Sequence, residues 1–184
     1  MGRGYAKTMF TEAVRGLQEE HGSRAAYAKV AERGEIDEAL GDFERAFVAA
    51  RDSFYMASVT ADGWPYVQHR GGPKGFLRVL DDGRTLAFAD FAGNKQYISA
   101  GNFETNDKVS LFLMSYPEQA RLKVIGHVRV VEAGVDLELE KAVGVGAYPG
   151  KVERVVVVQV VAFDWNCSQH IRQRWTREEM EIVG

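Results

Sequence analysis

At Ser53 the spacing of apolar residues changes from about 3.6 to 2, and side chains that alternate at every second position belong to strands with one face on a core. This change commits most of the chain to β structure. Phe54 to Thr60 is rich in strand formers, Ala61-Asp62-Gly63-Trp64 has hairpin-turn chemistry, and Pro65 to Arg70 follows as a second strand. After Gly71-Gly72-Pro73-Lys74-Gly75, Phe76 to Leu80 and Thr85 to Ala89 predict another strand pair around Asp81-Asp82-Gly83-Arg84. Lys95 to Asn102 suits one or two helical turns, and Lys108 to Met114 and Arg121 to Glu132 read as strands. Val135 to Val143 is helical by composition. Val152 to Trp165 is the last strand, with Val155 to Val158 predicted to be buried on both faces.

Successive hairpins with few crossover helices predict a mainly β fold with flanking helices: a six- to seven-stranded antiparallel barrel or closed sheet. The first fifty residues carry helical spacing instead. Met9, Phe10, Ala13, Val14 and Leu17 share one face up to a stop at Gly22, a second helix fits Ser23 to Gly34, and a third fits Asp37 to Ala50 with Leu40, Phe43 and Phe47 inward. Residues 1–51 are therefore expected to be an N-terminal helical extension flanking a barrel of residues 52–184, the whole forming one structural domain of 184 residues.

Composition narrows the function classes. A net charge of −3 lacks the basic footprint of a general nucleic-acid binder, so any anion site must be local. The single cysteine, Cys167, excludes an internal disulfide framework and a Cys-rich zinc site. His21, His69, His127 and His170 are scattered without a helical i, i+4 pair, so no metal site is expected. No apolar run approaches the ~18 residues of a membrane helix. The first residues lack the apolar stretch of a secretory signal, so a cytoplasmic location is expected.

Four segments can carry chemistry. Gln68-His69-Arg70-Gly71-Gly72 ends a strand in polar side chains followed by glycines, which suits close approach of a flat anionic ligand but equally describes a surface turn. Asp90-Phe91-Ala92-Gly93-Asn94-Lys95 follows a strand and opens a helix, so Asn94, Lys95 and Ser99 with free helix-start amides can hold a phosphate; a capped helix with a solvated lysine fits as well. Arg121 and Lys123 share a strand face and can meet a phosphate or a carbonyl oxygen, or simply face solvent. The stretch from Trp165 through Gln169 and His170 to Trp175 can form a rim over an aromatic ligand or a tail packed across the barrel. Gly144-Val145-Gly146 with Gly150 lacks dinucleotide-fold spacing, and Cys167 near His170 lacks the rest of a nucleophilic site.

Taken in order, Asp62-Gly63-Trp64-Pro65-Tyr66, Gln68-His69-Arg70, Gly93-Asn94-Lys95, Asn106-Asp107-Lys108-Val109-Ser110-Leu111-Phe112 and Lys123-Val124-Ile125-Gly126-His127-Val128 resemble the FMN-binding split barrel of the pyridoxamine 5′-phosphate oxidase superfamily. The resemblance covers roughly Asp52 to Trp165, and the tail from Trp165 to Ile171 resembles its flavin-nucleotide-binding subgroup. It implies a split β-barrel, FMN at a homodimer interface, and an oxidoreductase acting on a small molecule with NADH or NADPH as electron source. It also implies site residues: Asn94, Lys95 and Ser99 on the phosphate with Arg70 or Arg121 assisting, and Gln68, His69, Arg70 and Lys123 on the ring and ribityl chain. Gly71 and Asp90 are expected to bind the cofactor as well, and Gln169 and His170 to reach the partner's flavin. The arginine-leucine-histidine run of the true oxidases does not follow Trp165, so pyridoxal phosphate synthesis is not implied. A flavin carrier or sensor without turnover fits the same site, and a barrel-shaped interaction module is a third reading.

Overall fold

The computed structural model describes residues 2–33, 39–146, 148–165 and 169–183. Four helices precede the first strand: α1 (Arg3–Met9), α2 (Glu12–Glu20), α3 (Arg24–Glu32) and α4 (Asp42–Ala49). Where apolar spacing predicts one helix from Met9 to Gly22, the chain forms two. Thr11 interrupts it, because its hydroxyl accepts a hydrogen bond from Val14 N at 3.3 Å and caps α2. Gly22, with φ 73°, stops α2 as expected. The predicted third helix starts late, at Asp42. Leu40, although buried, is drawn out of helical geometry by donating its amide to Gly83 O at 2.6 Å, and Gly41 N is capped by Glu44 Oε2 at 3.1 Å. The predicted boundaries at Gly34 and Asp37 lie outside the described residues.

The strands are β1 (Ser53–Val59), β2 (Pro65–Gly71), β3 (Leu77–Val79), β4 (Thr85–Phe91), β5 (Lys108–Ser115), β6 (Ala120–Glu132) and β7 (Val152–Trp165). Helix α5 (Ile98–Thr105) joins β4 to β5, α6 (Leu137–Ala142) joins β6 to β7, and α7 (Arg177–Val183) follows β7. The seven strands form one sheet in the order β2-β1-β5-β6-β7-β4-β3, and every pairing is antiparallel. The β1–β2 turn is tied by Thr60 N to Trp64 O and Gly63 N to Thr60 O, both at 2.9 Å, with Gly63 at φ 87° where a side chain would be strained. Between β6 and β7 the register shifts at Ile125/Gly126, and a Cβ on Gly126 would fall on Gln159 O. A residue larger than glycine cannot stand there without moving β7.

The sheet curls around a core of Phe54, Phe76, Phe88, Met56, Leu111, Leu122 and Val124, all at most 1% exposed. Phe54 stacks on Phe76 at 5.6 Å and meets Phe88 edge-on at 5.2 Å, so side chains bring β1 and β4 together where the backbone does not pair. The valine run of β7 is buried on both faces as predicted. Val156 and Val158 enter the main core, while Val155 and Val157 pack with Ala87, Leu139 and Val143 beneath α6. Among the described residues no helix is long and apolar enough to cross a membrane.

Candidate functional site

β2 divides its side chains between two environments. Tyr66, Gln68 and Arg70 are half-buried and face the cavity at the start of α5, while Val67 and His69 are exposed on the opposite face. β2 and β3 are the two ends of the sheet. Since β3 is three residues long and pairs only as far as Phe88, the edge of β4 at Asp90 is left open toward β2. Arg70 Nη1 closes this gap on Asp90 Oδ1 at 2.5 Å. From the other side Arg154 on β7, the register partner of Asp90, brings Nε to 3.4 Å from Asp90 Oδ2 and donates through Nη2 to Glu153 Oε2 at 3.1 Å.

The loop from Ala92 to Tyr97 forms the rim. Lys95 and Tyr97 have φ 58° and 51°, left-handed backbone that is uncommon outside glycine and clusters at functional sites. These two residues explain why α5 begins at Ile98 and not at the predicted Lys95. Asn94 Oδ1 accepts from Gln96 N at 3.2 Å, and the Tyr97 ring lies 4.9 Å from the Arg154 guanidinium carbon. Ser99, 2% exposed, donates to Gln68 Oε1 at 2.9 Å, which leaves the Gln68 amide hydrogens as donors. α5 is anchored below by a buried bond from Asn102 Nδ2 to Ser58 Oγ at 2.9 Å.

The cavity, about 60 Å³ and open to solvent, is far smaller than the roughly 300–1,000 Å³ of a pocket that holds a whole small-molecule ligand, so it suits a phosphate-sized group and not an entire flavin. Its walls carry three cations, Arg70, Lys95 and Arg154, against two carboxylates, Asp90 and Glu153. Burial pushes the Asp90 carboxyl above its ordinary range, an effect that Arg70 and Arg154 only partly oppose, and burial also lowers Arg70. Arg70 Nε and Arg154 Nε are shut off from solvent without a hydrogen-bond partner. Positive charge in excess, with guanidinium donors not fully satisfied by the chain, is the chemistry of a phosphate or carboxylate site. The residues present fit the phosphate end of a flavin nucleotide.

Of the residues singled out in the sequence, the structure brings Gln68, Arg70, Asp90, Asn94, Lys95 and Ser99 to this cavity. His69 and Gly71 line an adjoining groove with Phe76 and Phe88, and the His69 ring packs edge-on against Tyr55 at 5.6 Å. Lys123 does not reach either space: its Nζ binds Asp164 Oδ2 at 2.8 Å and lies 4.6 Å from the Tyr5 ring of α1. Arg121 and His170 line a separate groove, and Gln169 is exposed in a turn. Cys167 lies outside the described residues. Gly72 and Gly75 have structural roles: a Cβ on Gly72 would fall 2.7 Å from the Phe76 ring, and Gly75 sits in a turn at φ 78°. Sequence reasoning missed Tyr66, Tyr97, Glu153 and Arg154. The available signal was that Arg154 is in phase with the core-facing Val156 and Val158 at the mouth of β7.

An antiparallel barrel left open between β2 and β4, with an anion cavity where β4 passes into α5, defines a split-barrel protein. A family model described as pyridoxamine 5′-phosphate oxidase matches residues 40–160, and the chain belongs to that family. Among solved structures, HupZ of Group A Streptococcus is 17% identical over 73% of this chain and 98% of its own, with a TM-score of 0.54. A Lactobacillus delbrueckii protein bearing the name pyridoxamine 5′-phosphate oxidase is 22% identical over 69% and 94%, with a TM-score of 0.51. A Clostridium acetobutylicum protein related to general stress protein 26 is 11% identical over 79% and 99%, with a TM-score of 0.50. These likenesses establish the shared fold. No curated protein sequence matches the chain.

Proposed function

We propose that this protein binds FMN and serves as an oxidoreductase for a small molecule, with reduced nicotinamide as electron source. The observation that carries the reading is the trio Arg70, Lys95 and Arg154 around one small cavity, two of them with enclosed Nε atoms that make no hydrogen bond. Arg70 and Arg154 are held in place by Asp90 and offer their remaining N–H groups to a phosphate. Lys95 adds a positive charge from the exposed rim, with Asn94 beside it. Gln68, oriented by Ser99, donates its amide hydrogens to a ribityl hydroxyl or ring carbonyl. The flavin would supply two-electron chemistry, and the chain's part is to bind and orient it.

A cavity of phosphate size leaves the ring outside, so the functional unit is proposed to be a homodimer with the flavin between subunits. Light scattering of protein with FMN bound stoichiometrically tests this, and a monomer would refute it. For the cofactor itself, the decisive experiment is an FMN titration of the wild type and of Lys95→Ala and Arg154→Ala. Each variant should lose about 1.5–3 kcal/mol, the range for hydrogen bonds to charged groups. Affinity unchanged in both would remove the cavity from the cofactor site. Anaerobic addition of NADH and NADPH to the yellow protein then separates an oxidoreductase, which bleaches, from a carrier, which does not.

A further inference from the structure

Asp90 stands among charges drawn from three parts of the chain. β2 supplies Arg70, with Tyr66 on the same face; β7 supplies Arg154 and Glu153; and the loop before α5 supplies Lys95 and Tyr97. The α5 residues at the cavity do not titrate, and His69 shares with Asp90 only the adjoining groove. With Arg70, Lys95 and Arg154 against Asp90 and Glu153, the cavity at neutral pH carries one net positive charge.

A tetrahedral dianion reverses that sign, and like charges that share a site do not all stay ionised. Of the two carboxylates, Glu153 has the easier outlet. Its side chain is 24% exposed, and it accepts from Arg154 Nη2 at 3.1 Å and from the Tyr97 hydroxyl at 3.4 Å. Asp90, at 16%, commits its two oxygens to the two guanidinium groups that an incoming anion must also use, Arg70 Nη1 at 2.5 Å and Arg154 Nε at 3.4 Å. Lys95 is exposed on the rim, where water answers its charge. Asp90 and the anion therefore draw on the same buried positive charge.

We propose that a dianion bound by Arg70 and Arg154 is accompanied by uptake of up to one proton from solvent onto the Asp90 carboxylate, so that cofactor binding and proton binding are one linked event. This linkage rests on reading the cavity as a phosphate site. Protonated, Asp90 still accepts from Arg70 and keeps β2 fastened to β4, while its charge no longer opposes the ligand. Burial already holds this carboxyl above its ordinary range, and an anion on the same arginines acts in the same direction. Between the value in the free protein and the higher value in the complex, binding takes up a proton. Affinity is therefore greatest below that interval and falls as pH rises through it.

Sulfate isolates the effect, because it remains a dianion where a phosphate ester itself titrates, near pH 6. Calorimetric titration of the full chain with sodium sulfate, in two buffers of different ionisation enthalpy, reads the protons taken up. The wild type should take up protons that Asp90→Asn does not. Its sulfate affinity should fall by up to about tenfold per pH unit between about pH 5 and 7, while that of the variant stays flat. Uptake should persist in Glu153→Gln and His69→Gln, which decide the assignment if Asp90→Asn does not fold. FMN should show the same difference between wild type and Asp90→Asn, and riboflavin, which lacks the phosphate, none. No binding of sulfate, binding of sulfate or FMN without uptake, uptake undiminished in Asp90→Asn, loss of uptake in Glu153→Gln or His69→Gln, or equal uptake with riboflavin would each overturn the proposal. Sulfate bound with proton uptake by a protein that does not bind FMN would count against the flavin reading alone.

Discussion

Arg70 and Asp90 meet at 2.5 Å across the one side of the barrel that backbone hydrogen bonds leave open. Both side chains are largely buried, at 14% and 16% exposure, and Asp90 also holds Arg154. The same contact therefore fastens β2 to β4 and aims two guanidinium groups into the cavity.

Removing the carboxylate should cost more than the contact is worth, because two buried cations lose their counter-charge. Asp90→Ala is expected to lower the free energy of unfolding by about 3 kcal/mol, measured by urea denaturation. A loss within experimental error would mean that solvent already compensates these arginines.

The same residue gives the stability a pH dependence whose sign follows from its burial. Asp90 has a raised carboxyl in the folded protein, so between the ordinary aspartate value, near 4, and the folded value the native state holds a proton that the unfolded chain has released. Its contribution is fully present below that interval and is lost as pH rises through the folded value. Asp90→Asn should abolish this part of the pH profile in urea midpoints taken upward from about pH 4. Parallel profiles for the two proteins would contradict the burial argument.

Asn102 holds α5 to β1 through Ser58, and both residues are buried. Asn102→Ala leaves the Ser58 hydroxyl unsatisfied and should destabilise by about 1–3 kcal/mol. Hydrogen exchange should quicken at the amides of α5 in particular. Uniform exchange throughout the chain would separate this bond from the positioning of the site.

Gly126→Ala tests the register shift between β6 and β7. The added methyl meets the Gln159 carbonyl, backbone that cannot rotate away, so a penalty of about 1–3 kcal/mol is expected in thermal or urea unfolding. A neutral substitution would show that the strands can separate locally at no cost.

Most of the barrel was legible because period-2 alternation and hairpin turns are local signals. β7 runs from Val152 to Trp165 as its composition predicts, and Leu122 and Val124 are buried as alternation requires. The start of α5 was not legible, since left-handed backbone at Lys95 and Tyr97 has no marker in residues other than glycine. Nor was the separation of Arg121 and Lys123 into different surroundings. It depends on Asp164 and Tyr5, distant in sequence, reaching one cation and not the other. Arg154 was hidden for a related reason. A charged residue beside a valine run resembles a strand end, and only the β4–β7 register places it against Asp90.

The alternation along β2 makes the β1–β2 turn an indexing device. Thr60, Gly63 and Trp64 set the count of residues before Tyr66, Gln68 and Arg70 face inward. A turn that let β2 slip by one residue against β1 would put Val67 and His69 at the cavity and rotate Gln68 and Arg70 into solvent. The chemistry of the pocket would be exchanged for that of the outer surface without altering any residue that lines it.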